Sequence, residues 1–428
     1  MELFDRLTRE RYDNPNRYSS VKFIDYMITD LEESVVERLP EQLADVSGII
    51  RKIFGYSRYE PTNPYGFHKR VPAARNVHAN EAFLIWDGKI SRYNCKRDAF
   101  ERVGFNEAEK GRCRLVVAAE LWRLMKYYGE FGLMLPLLDA GHILAELKTE
   151  LESAGRADAE IRYGAEDRIE YDELGLSLKC HMITLEADLG KGIFPDPSME
   201  NGRQYRRVMN YDEEVSAYEA ARQILRQEKG FRRRRTACNR QTVRPFTETE
   251  KRESAHNHIG VCSLEKTIRE ETADRYLKQL EEYMNHYMED AYRYRVHMLY
   301  TTKDGQYLQR IEEEKKGKAE KAEIDKGQLL YDTARMIDME SMPVIVYISY
   351  LYDEQLTEKE NIYNAHIGAA EICHWFLLNG CADGYFGRPM RNLNDAYVEK
   401  AFGAKEGERF VYSLILGKAN TQNYVYTL

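Results

Sequence analysis

The densest cluster of basic side chains in the sequence is the run Arg232-Arg-Arg-Arg235, which is followed by Thr236, Arg240 and Arg244. Several guanidinium groups together can bind a phosphate or a carboxylate through paired N–H donors. Arginine-rich segments also bind nucleic acid or acidic peptides. A third alternative is a solvated turn without a ligand, placed after a helix predicted over 212–230. The residues alone leave these three alternatives open.

Patterns that would indicate several common chemistries are absent. The chain has no Walker phosphate loop, no G-x-G-x-x-G after a strand and no G-x-S-x-G, which excludes the common nucleotide-binding and serine-hydrolase sites. His256-Asn-His258 has no acidic or thiol partner at ligand spacing, and the seven cysteines form no C-x-x-C pair. We therefore expect no metal site and reduced, mostly buried thiols.

The composition allows two globular domains. The chain has 428 residues, of which 43% are hydrophobic, enough for two packed cores. Its net charge of -8 argues against extended nucleic-acid binding. The charged first residues predict no secretory signal, and no apolar run approaches the roughly 20 residues of a membrane span. We expect a cytoplasmic protein without membrane partners.

One pattern occurs twice in the sequence. Residues 139–155 align without a gap on residues 364–380, and the matched pairs are Ala140/Ala365, Ala145/Ala370, Glu146/Glu371 and Leu147/Ile372. Each segment begins with an N-cap type of residue, Asp139 or Asn364, and ends in glycine, which predicts two equivalent capped helices. Both copies then continue to a strand-like run that ends in Leu-Gly-Lys. A duplicated domain explains this order better than coincidence.

The hydrophobic pattern predicts the surrounding elements. Helices are predicted over 20–57, 212–230 and 264–298, and strands over 181–185, 343–348 and 410–417. Residues 82–93, with their Asp87-Gly88 turn, predict a hairpin, whereas 115–119 fits a strand or a helix. The Glu/Lys-rich run 309–326 predicts a solvated helix or a mobile excursion. Prolines and glycines over 190–210 predict a linker.

Three segments carry a resemblance to a known family. Arg70-Val-Pro-Ala-Ala-Arg-Asn76 resembles the R-x-P-S-x-G strand entry of the flavin-dependent nitroreductases, and within that superfamily of the SagB-type dehydrogenases, which oxidise azolines in modified peptides. The segment from Lys126-Tyr-Tyr-Gly to Leu137-Leu-Asp-Ala-Gly-His142 is similar to the family's K-Y-G-x-R and L-L-D-A-G-H motifs. The ending from Asn379 to Lys418 resembles the family's C-terminal segment. The resemblance touches both halves of the chain.

The chain departs from the family pattern at two places. Pro72-Ala-Ala-Arg75 replaces P-S-x-G, so a hydroxyl and a glycine that let the backbone approach the flavin are lost. We expect the arginine side chain to crowd that position. Counted back from Asp139, the family's Lys-Tyr pair falls on Tyr127 and Tyr128, which leaves Lys126 one residue out of register. The first copy is therefore degenerate or adapted to another substrate.

The resemblance implies an α+β fold. We expect two nitroreductase-like domains in tandem, each a mixed β-sheet flanked by helices, packed as an internal pseudo-dimer. The first domain is predicted over 1–192, a linker and connecting helix over 193–230, and the second domain over 231–428.

The resemblance also implies FMN as the cofactor. The FMN phosphate needs several cations or N–H donors, and its predicted ligands are Arg234, Arg235, Thr236 and Arg240. Further cofactor contacts are predicted at Arg70, Pro72, Ala73 and Asn76. Lys126 is the predicted base, with Tyr127 or Tyr128 orienting the substrate or sharing the proton. The alternative is a surface lysine beside tyrosines that cover the edge of a core.

Two functions follow as expectations. The first is a SagB-type FMN-dependent dehydrogenase that oxidises an azoline or related group in a ribosomally made peptide or another natural product. The second is a catalytically inactive nitroreductase-like scaffold that binds a partner enzyme or a precursor peptide. The expected partners are the peptide or small-molecule substrate, enzymes of a biosynthetic complex and a second copy of the chain.

Overall fold

Two antiparallel sheets form the centre of the described structure, one in each of two units. The computed structural model describes residues 2–9, 35–61, 66–164, 171–191, 211–225, 235–237, 261–330, 337–418 and 426–427. The N-terminal unit takes in residues 2–241, 357–363 and 426–428, and the C-terminal unit takes in residues 242–356 and 364–425. Within the described ranges, no helix has the length and apolar character needed to cross a membrane.

The elements of the N-terminal unit are, in chain order, α1 (Glu2–Arg9), β1 (Val36–Glu37), α2 (Ala44–Phe54), β2 (Tyr56–Tyr59), β3 (Phe67–Lys69), β4 (Asn80–Trp86), β5 (Lys89–Asn94), β6 (Ala99–Phe105), β7 (Arg112–Glu120), α3 (Trp122–Tyr128), α4 (Leu135–Ser153), β8 (Glu160–Tyr163), β9 (His181–Lys191), α5 (Asp212–Ser216), α6 (Glu219–Leu225) and β10 (Arg235–Ala237). Its large sheet has the order β1-β6-β5-β4-β7-β9-β8-β10.

The later elements are, in chain order, α7 (Glu270–Tyr287), β11 (Tyr294–Thr302), β12 (Gly305–Glu312), β13 (Lys315–Lys316), β14 (Glu320–Lys321), β15 (Val344–Leu351), α8 (Glu358–Ala382), β16 (Phe386–Met390), α9 (Asp395–Phe402), β17 (Glu408–Gly417) and β18 (Tyr426–Thr427). The sheet of the C-terminal unit has the order β13-β12-β11-β15-β17-β16, with β14 also paired to β12, whereas β18 joins β2 and β3 in a small sheet of the N-terminal unit.

The two units repeat one order of elements. The N-terminal unit runs α2, β4, β5, β7, α4, β8, β9, and the C-terminal unit runs α7, β11, β12, β15, α8, β16, β17. The corresponding strands are neighbours in the same way, as β5-β4-β7-β9-β8 and as β12-β11-β15-β17-β16. A glycine with positive φ, Gly175 or Gly403, precedes the last strand of each series. The segments that align in sequence thus fall on corresponding elements.

The aligned helices are confirmed, but their predicted N-caps are wrong. Asp139 lies inside α4 and Asn364 lies inside α8. The helix α8 begins earlier because Thr357 and Glu360 form a reciprocal capping box, in which each side chain accepts a hydrogen bond from the backbone N–H of the other residue. The helix α4 begins at Leu135, with a proline in its first turn.

The predicted C-terminal glycine holds for one helix of the pair. Gly155, with φ of 75°, follows α4, and its N–H and that of Arg156 bond back to Glu152 and Leu151. The helix α8 continues through Gly380 to Ala382, and Gly384, with φ of 77°, follows it. The pattern therefore located the second helix correctly but misplaced both of its ends.

Several predicted elements are confirmed. Residues 82–93 form the hairpin of β4 and β5, in which Asp87 and Gly88 both have the positive φ that a two-residue turn needs. Residues 115–119 belong to strand β7, and the predicted strands over 181–185, 343–348 and 410–417 correspond to β9, β15 and β17.

Other predicted elements need correction. The run 309–326, predicted as a helix or an excursion, forms strand pairings of β12 with β13 and β14, because its charged residues lie on an edge of the sheet. All pairings between the strands described are antiparallel, whereas a mixed sheet was expected. The helix over 264–298 ends at Tyr287 and gives way to β11. The part of 20–57 that is helical is 44–54, and residues 20–34 lie outside the described ranges.

The close packing of α8 in the C-terminal unit depends on Gly368. A Cβ atom at Gly368 would lie 2.1 Å from the hydroxyl oxygen of Tyr294, a fully buried side chain. We expect Gly368→Ala to lower the free energy of unfolding by roughly 1–3 kcal/mol through overpacking. Gly48→Ala, on α2, is the matched control, because nothing lies within 4 Å of the added Cβ. That control should be neutral or stabilising by about 0.5–1 kcal/mol. Denaturant midpoints of both variants would check this, and equal midpoints would contradict the packing.

Candidate functional site

The turn that leads into β4 contains unusual backbone. Arg75, Asn76 and His78 have φ angles of 49°, 55° and 51°. Non-glycine residues seldom adopt this left-handed region, which costs roughly 1–3 kcal/mol each and is frequent at functional sites. Arg75 stands where the resembled family has glycine, so the backbone keeps a conformation that glycine favours although the residue is arginine. We call residues 72–78 the site turn.

A buried carboxyl group on α4 holds the site turn in place. Asp139 accepts a hydrogen bond from the backbone N–H of Ala74 at 3.0 Å. Within the turn, the N–H of Asn76 donates to the Ala73 carbonyl and the N–H of Val77 donates to the Ala74 carbonyl. The Asn76 amide also donates to the carbonyl of Phe67, in β3. The site turn is thereby tied to one helix and to one strand of its unit.

The site turn packs against α3, which carries the predicted catalytic residues. The guanidinium carbon of Arg75 lies 5.1 Å from the ring centroid of Tyr127 and 5.3 Å from that of Tyr128. The Lys126 ammonium lies 5.2 Å from the Tyr127 centroid. These are cation–π distances. The structure therefore brings the site turn together with Lys126, Tyr127 and Tyr128, and the Arg75 side chain extends across the two rings.

The position of α3 is set by close backbone packing. Leu124 and Met125 bury the inner face of α3, and Gly129, with φ of 59°, follows its last residue. A Cβ at Gly132 would lie 2.8 Å from the Met125 Cα. A larger residue at position 132 would displace α3 and the side chains that it carries, because the atoms that its Cβ would meet belong to the backbone of α3 and cannot rotate away.

Arg70 is engaged with two carboxylates of α4. Its Nε lies 3.1 Å from Glu146 Oε2, and its Nη1 lies 3.1 Å from Glu150 Oε1. Arg70 and Glu146 are buried. A phosphate could bind this guanidinium only by displacing carboxylates that would then be left buried without their cation. The ion pairs anchor the start of the site turn to α4, and the cofactor contact of Arg70 stays a prediction.

A small cavity lies beside Asp139. Its volume is about 10 Å³, and its lining includes Lys69, Pro72, Ala73 and Asn80. A neighbouring cavity of the same volume shares Lys69 and Asn80. Each has room for about one water molecule. Pro72 and Ala73, both predicted cofactor contacts, thus border a space too small for a flavin ring.

Asp139, which lines this cavity, has an oxygen left unsatisfied by the described residues and a raised pKa. Within the part of the chain that is described, Asp139 Oδ2 has no hydrogen-bond partner. Burial raises the pKa of Asp139 to about 8, although the hydrogen bond from Ala74 opposes that shift. Burial likewise lowers the pKa of Lys69, another residue of the cavity. The site turn therefore rests on a carboxyl group that is mostly protonated at neutral pH.

The predicted phosphate cluster lies elsewhere in the sheet. Arg235 and Thr236 belong to β10, which pairs with β8 at the edge of the large sheet. Four strand spacings, about 19 Å at about 4.8 Å each, separate β10 from β4, into which the site turn leads. Arg234 and Arg240 lie outside the described residues, as do the side chains of Arg235 and Thr236. The structure therefore does not bring the two predicted parts of the cofactor site together along the sheet.

Comparison with known proteins identifies the fold. No model of a protein family matches the chain, and no curated protein matches it. A solved structure from Anabaena variabilis ATCC 29413, provisionally described as a nitroreductase, covers 97% of this chain and 99% of its own, with 12% identity and a TM-score of 0.64. The chain has the nitroreductase fold. The predicted α+β class is therefore confirmed together with the nitroreductase-like architecture.

Smaller solved structures match part of the chain. A nitroreductase family protein from Clostridium novyi NT is 14% identical and covers 40% of this chain and 82% of its own, with a TM-score of 0.29. An FMN-dependent nitroreductase from Clostridium difficile R20291 is 12% identical and covers 41% of this chain and 88% of its own, with a TM-score of 0.27.

Sequence reasoning missed the residue that holds the site turn on this nitroreductase fold. The sequence pattern predicts Asp139 as an N-cap because the helix start upstream, at Leu135, lacks a polar cap. The proline in the first turn of α4 is the signal that marks that start. Arg75 was expected to crowd the backbone, yet it adopts a left-handed φ and directs its side chain to the two tyrosines. The family position of glycine was a usable signal for that φ, since glycine marks backbone that other residues adopt at a cost.

The raised pKa of Asp139 makes a pH-dependent prediction. The folded chain holds a proton that the unfolded chain releases above the ordinary value of 3.8. The free energy of unfolding is therefore unaffected by this group below about pH 4. It falls as pH rises from about 4 to about 8, by on the order of 5 kcal/mol from this group. We expect Asp139→Asn to remove that loss, so that its stability relative to the native protein grows with pH. Urea titrations at several pH values would check this, and a difference that does not change with pH would contradict it.

The Arg70 cluster makes a second prediction. Arg70→Ala should lower the free energy of unfolding by about 3–5 kcal/mol, because it leaves Glu146 buried without its cation. Arg70→Lys should cost less, because it keeps the charge and loses only the two-pronged geometry. Thermal unfolding of both variants measures this effect. If Arg70→Ala kept its stability but lost FMN binding, the structural role would be contradicted and Arg70 would be a cofactor contact.

Proposed function

We propose that this chain is an FMN-dependent oxidoreductase. The observation that carries the proposal is the group formed by Arg75, Lys126, Tyr127 and Tyr128 beside a turn with glycine-like backbone. FMN, when bound, supplies the hydride acceptor and has a ring that becomes anionic on reduction. Two cations against aromatic rings suit such a ring, so the residues present fit the ring end of the cofactor. The Clostridium difficile protein named above is described as FMN-dependent, which agrees with this choice.

The side chains of this group have distinct roles in the proposal. Lys126, half-buried on α3, is the proposed base: its ammonium first releases a proton, and the amine then takes the proton from substrate carbon, while Arg75 stays the permanent cation of the group. Tyr127 and Tyr128 orient the substrate or share that proton, and Arg75 fixes both rings in place. Arg234, Arg235, Thr236 and Arg240 remain the proposed ligands of the phosphate; β10 lies four strands from β4, so this part of the proposal stands apart from the ring end and has its own test in Arg235→Ala. Asn76 would hold the site turn in place beside the cofactor through its hydrogen bond to the Phe67 carbonyl.

The proposed substrate is an azoline or a related group in a ribosomally made peptide or another natural product, as in the SagB-type enzymes that the sequence resembles. Oxidation of such a ring removes one hydride and one proton from adjacent atoms, which matches one base beside one hydride acceptor. The repeated order of elements in the two units supports a tandem duplication as the origin of the chain. Enzymes of a biosynthetic complex and a second copy of the chain are the proposed partners.

A catalytically inactive scaffold is the second candidate, and specific observations favour it. Arg70, which the resemblance assigns to the cofactor, is neutralised by Glu146 and Glu150. The guanidinium of Arg75 covers the tyrosine rings that a substrate would approach. Under this alternative the chain binds a partner enzyme or a precursor peptide without redox chemistry.

The absorbance spectrum of the purified protein separates the two candidates. The oxidoreductase should be yellow, and mass spectrometry of the material released on denaturation should identify FMN. Arg235→Ala should release the flavin, and Lys126→Met should retain enough to stay yellow while losing turnover by about 100-fold, the usual contribution of a general base. A colourless protein that takes up no added FMN would contradict the oxidoreductase and favour the scaffold.

A further inference from the structure

The two units differ at two places within their shared order of elements. Between α2 and β4 the N-terminal unit has 25 residues, 55–79, whereas only six residues, 288–293, join α7 to β11. Between β7 and α4 it has 14 residues, 121–134, whereas only six residues, 352–357, join β15 to α8. We call residues 55–79 and 121–134 the two long segments, and residues 288–293 and 352–357 the two short segments.

The two long segments carry the candidate site. The site turn lies on the first, and Lys126, Tyr127 and Tyr128 lie on the second. The two segments touch each other through Arg75, which covers both tyrosine rings, and through Arg123, whose Nη1 donates to the His78 carbonyl at 3.2 Å. All the residues that form the candidate ring end of the site therefore belong to parts of the chain without a counterpart in the C-terminal unit.

In the C-terminal unit, an ion pair joins the two short segments, which correspond to the two long segments of the N-terminal unit. Arg293 is the last residue before β11, and Asp353 is the second residue after β15. Their side chains meet at 2.5 Å between Nη2 and Oδ2, and both are largely buried, with exposures of 16% and 14%. The short segments are thus joined directly to each other at the place where the N-terminal unit has the site turn and α3.

The charges of the two pairs of segments have opposite signs. The long segments contain six lysine and arginine residues against two glutamates, Glu60 and Glu130. The short segments contain one arginine against four acids, Glu289, Asp290, Asp353 and Glu354. Three of the six cations, Arg58, Arg70 and Arg123, lie within 4.0 Å of carboxylates. The attraction for an anionic cofactor therefore comes from the other cations of the long segments, which include Arg75 and Lys126, whereas the acids of the short segments repel it.

We propose that each chain has one cofactor and substrate site, whose ring end is built by the two long segments of the N-terminal unit, and that the described part of the C-terminal unit holds no second one. This inference rests on the proposed FMN function and adds to it the number of sites and their place. The Arg293–Asp353 pair takes the position that the site turn and α3 occupy in the N-terminal unit, so the described connections of the C-terminal unit contribute folded structure rather than a second ligand-binding set.

Titration of the full-length protein with FMN, followed by flavin fluorescence and by mass determination of the released cofactor, counts the sites. We expect one FMN per chain. Lys126→Met should weaken FMN binding about tenfold, equivalent to about 1.4 kcal/mol. The matched control is the double substitution Arg293→Met and Asp353→Asn, which removes the ion pair without changing the net charge and should leave both number and affinity unchanged. Thermal midpoints of both variants check that they are folded.

Each other outcome has a definite meaning. Two FMN molecules per chain would overturn the single site and leave the oxidoreductase function standing. One FMN that responds to the Arg293 and Asp353 substitutions but not to Lys126→Met would overturn its assignment to the N-terminal unit. No FMN at any concentration would overturn the proposed function itself.

Discussion

The burial of one helix in each unit is the constraint on which the rest of the structure depends. In α4, 17 of the 19 residues are buried, and such a helix must satisfy its polar side chains from within the protein. Glu146 obtains the guanidinium of Arg70, and Asp139 obtains the N–H of Ala74. Both partners flank the start of the site turn. The need to satisfy two buried acidic side chains therefore fixes the segment on which the candidate site is built.

The corresponding helix of the C-terminal unit meets the same constraint differently. Glu371, which aligns with Glu146, is also buried, and it accepts a hydrogen bond of 2.7 Å from the hydroxyl group of Tyr283, on α7. Tyr283 lies on a helix that already packs in this unit, so its hydroxyl group reaches Glu371 without an additional segment. Arg70, in contrast, lies on the long connection between α2 and β4. Similar helices thus coexist with a long connection in one unit and a short one in the other.

The parts that could be predicted from the sequence are those set by local pattern. The hairpin at Asp87-Gly88 and the strands β9, β15 and β17 follow from apolar runs and turn residues, and the two aligned helices follow from their matched residues. For residues 115–119, in β7, the pattern left a strand and a helix open. The order of the sheets could not be predicted, since it depends on pairings between distant strands. The run 309–326 misled because its charges fit an exposed helix as well as an edge strand.

The candidate site was predictable in its residue types but not in its contacts. The approach of Lys126, Tyr127 and Tyr128 to the site turn agrees with the motifs, whereas the partners of Arg70 depend on the packing of α4. The sequence pattern also could not separate Arg235 from the site turn, because adjacency in a motif says nothing of strand order. The oppositely charged connections of the two units are visible in the sequence only after the corresponding elements are known.

The central claim is that the long connections of the N-terminal unit form a flavin site. A crystal structure of the protein grown with FMN tests it most directly. The account predicts electron density for one isoalloxazine ring per chain, within contact distance of Lys126 and Tyr128. Density for the ring beside Arg293 and Asp353, or a structure at saturating FMN with no density for it at all, would contradict the account.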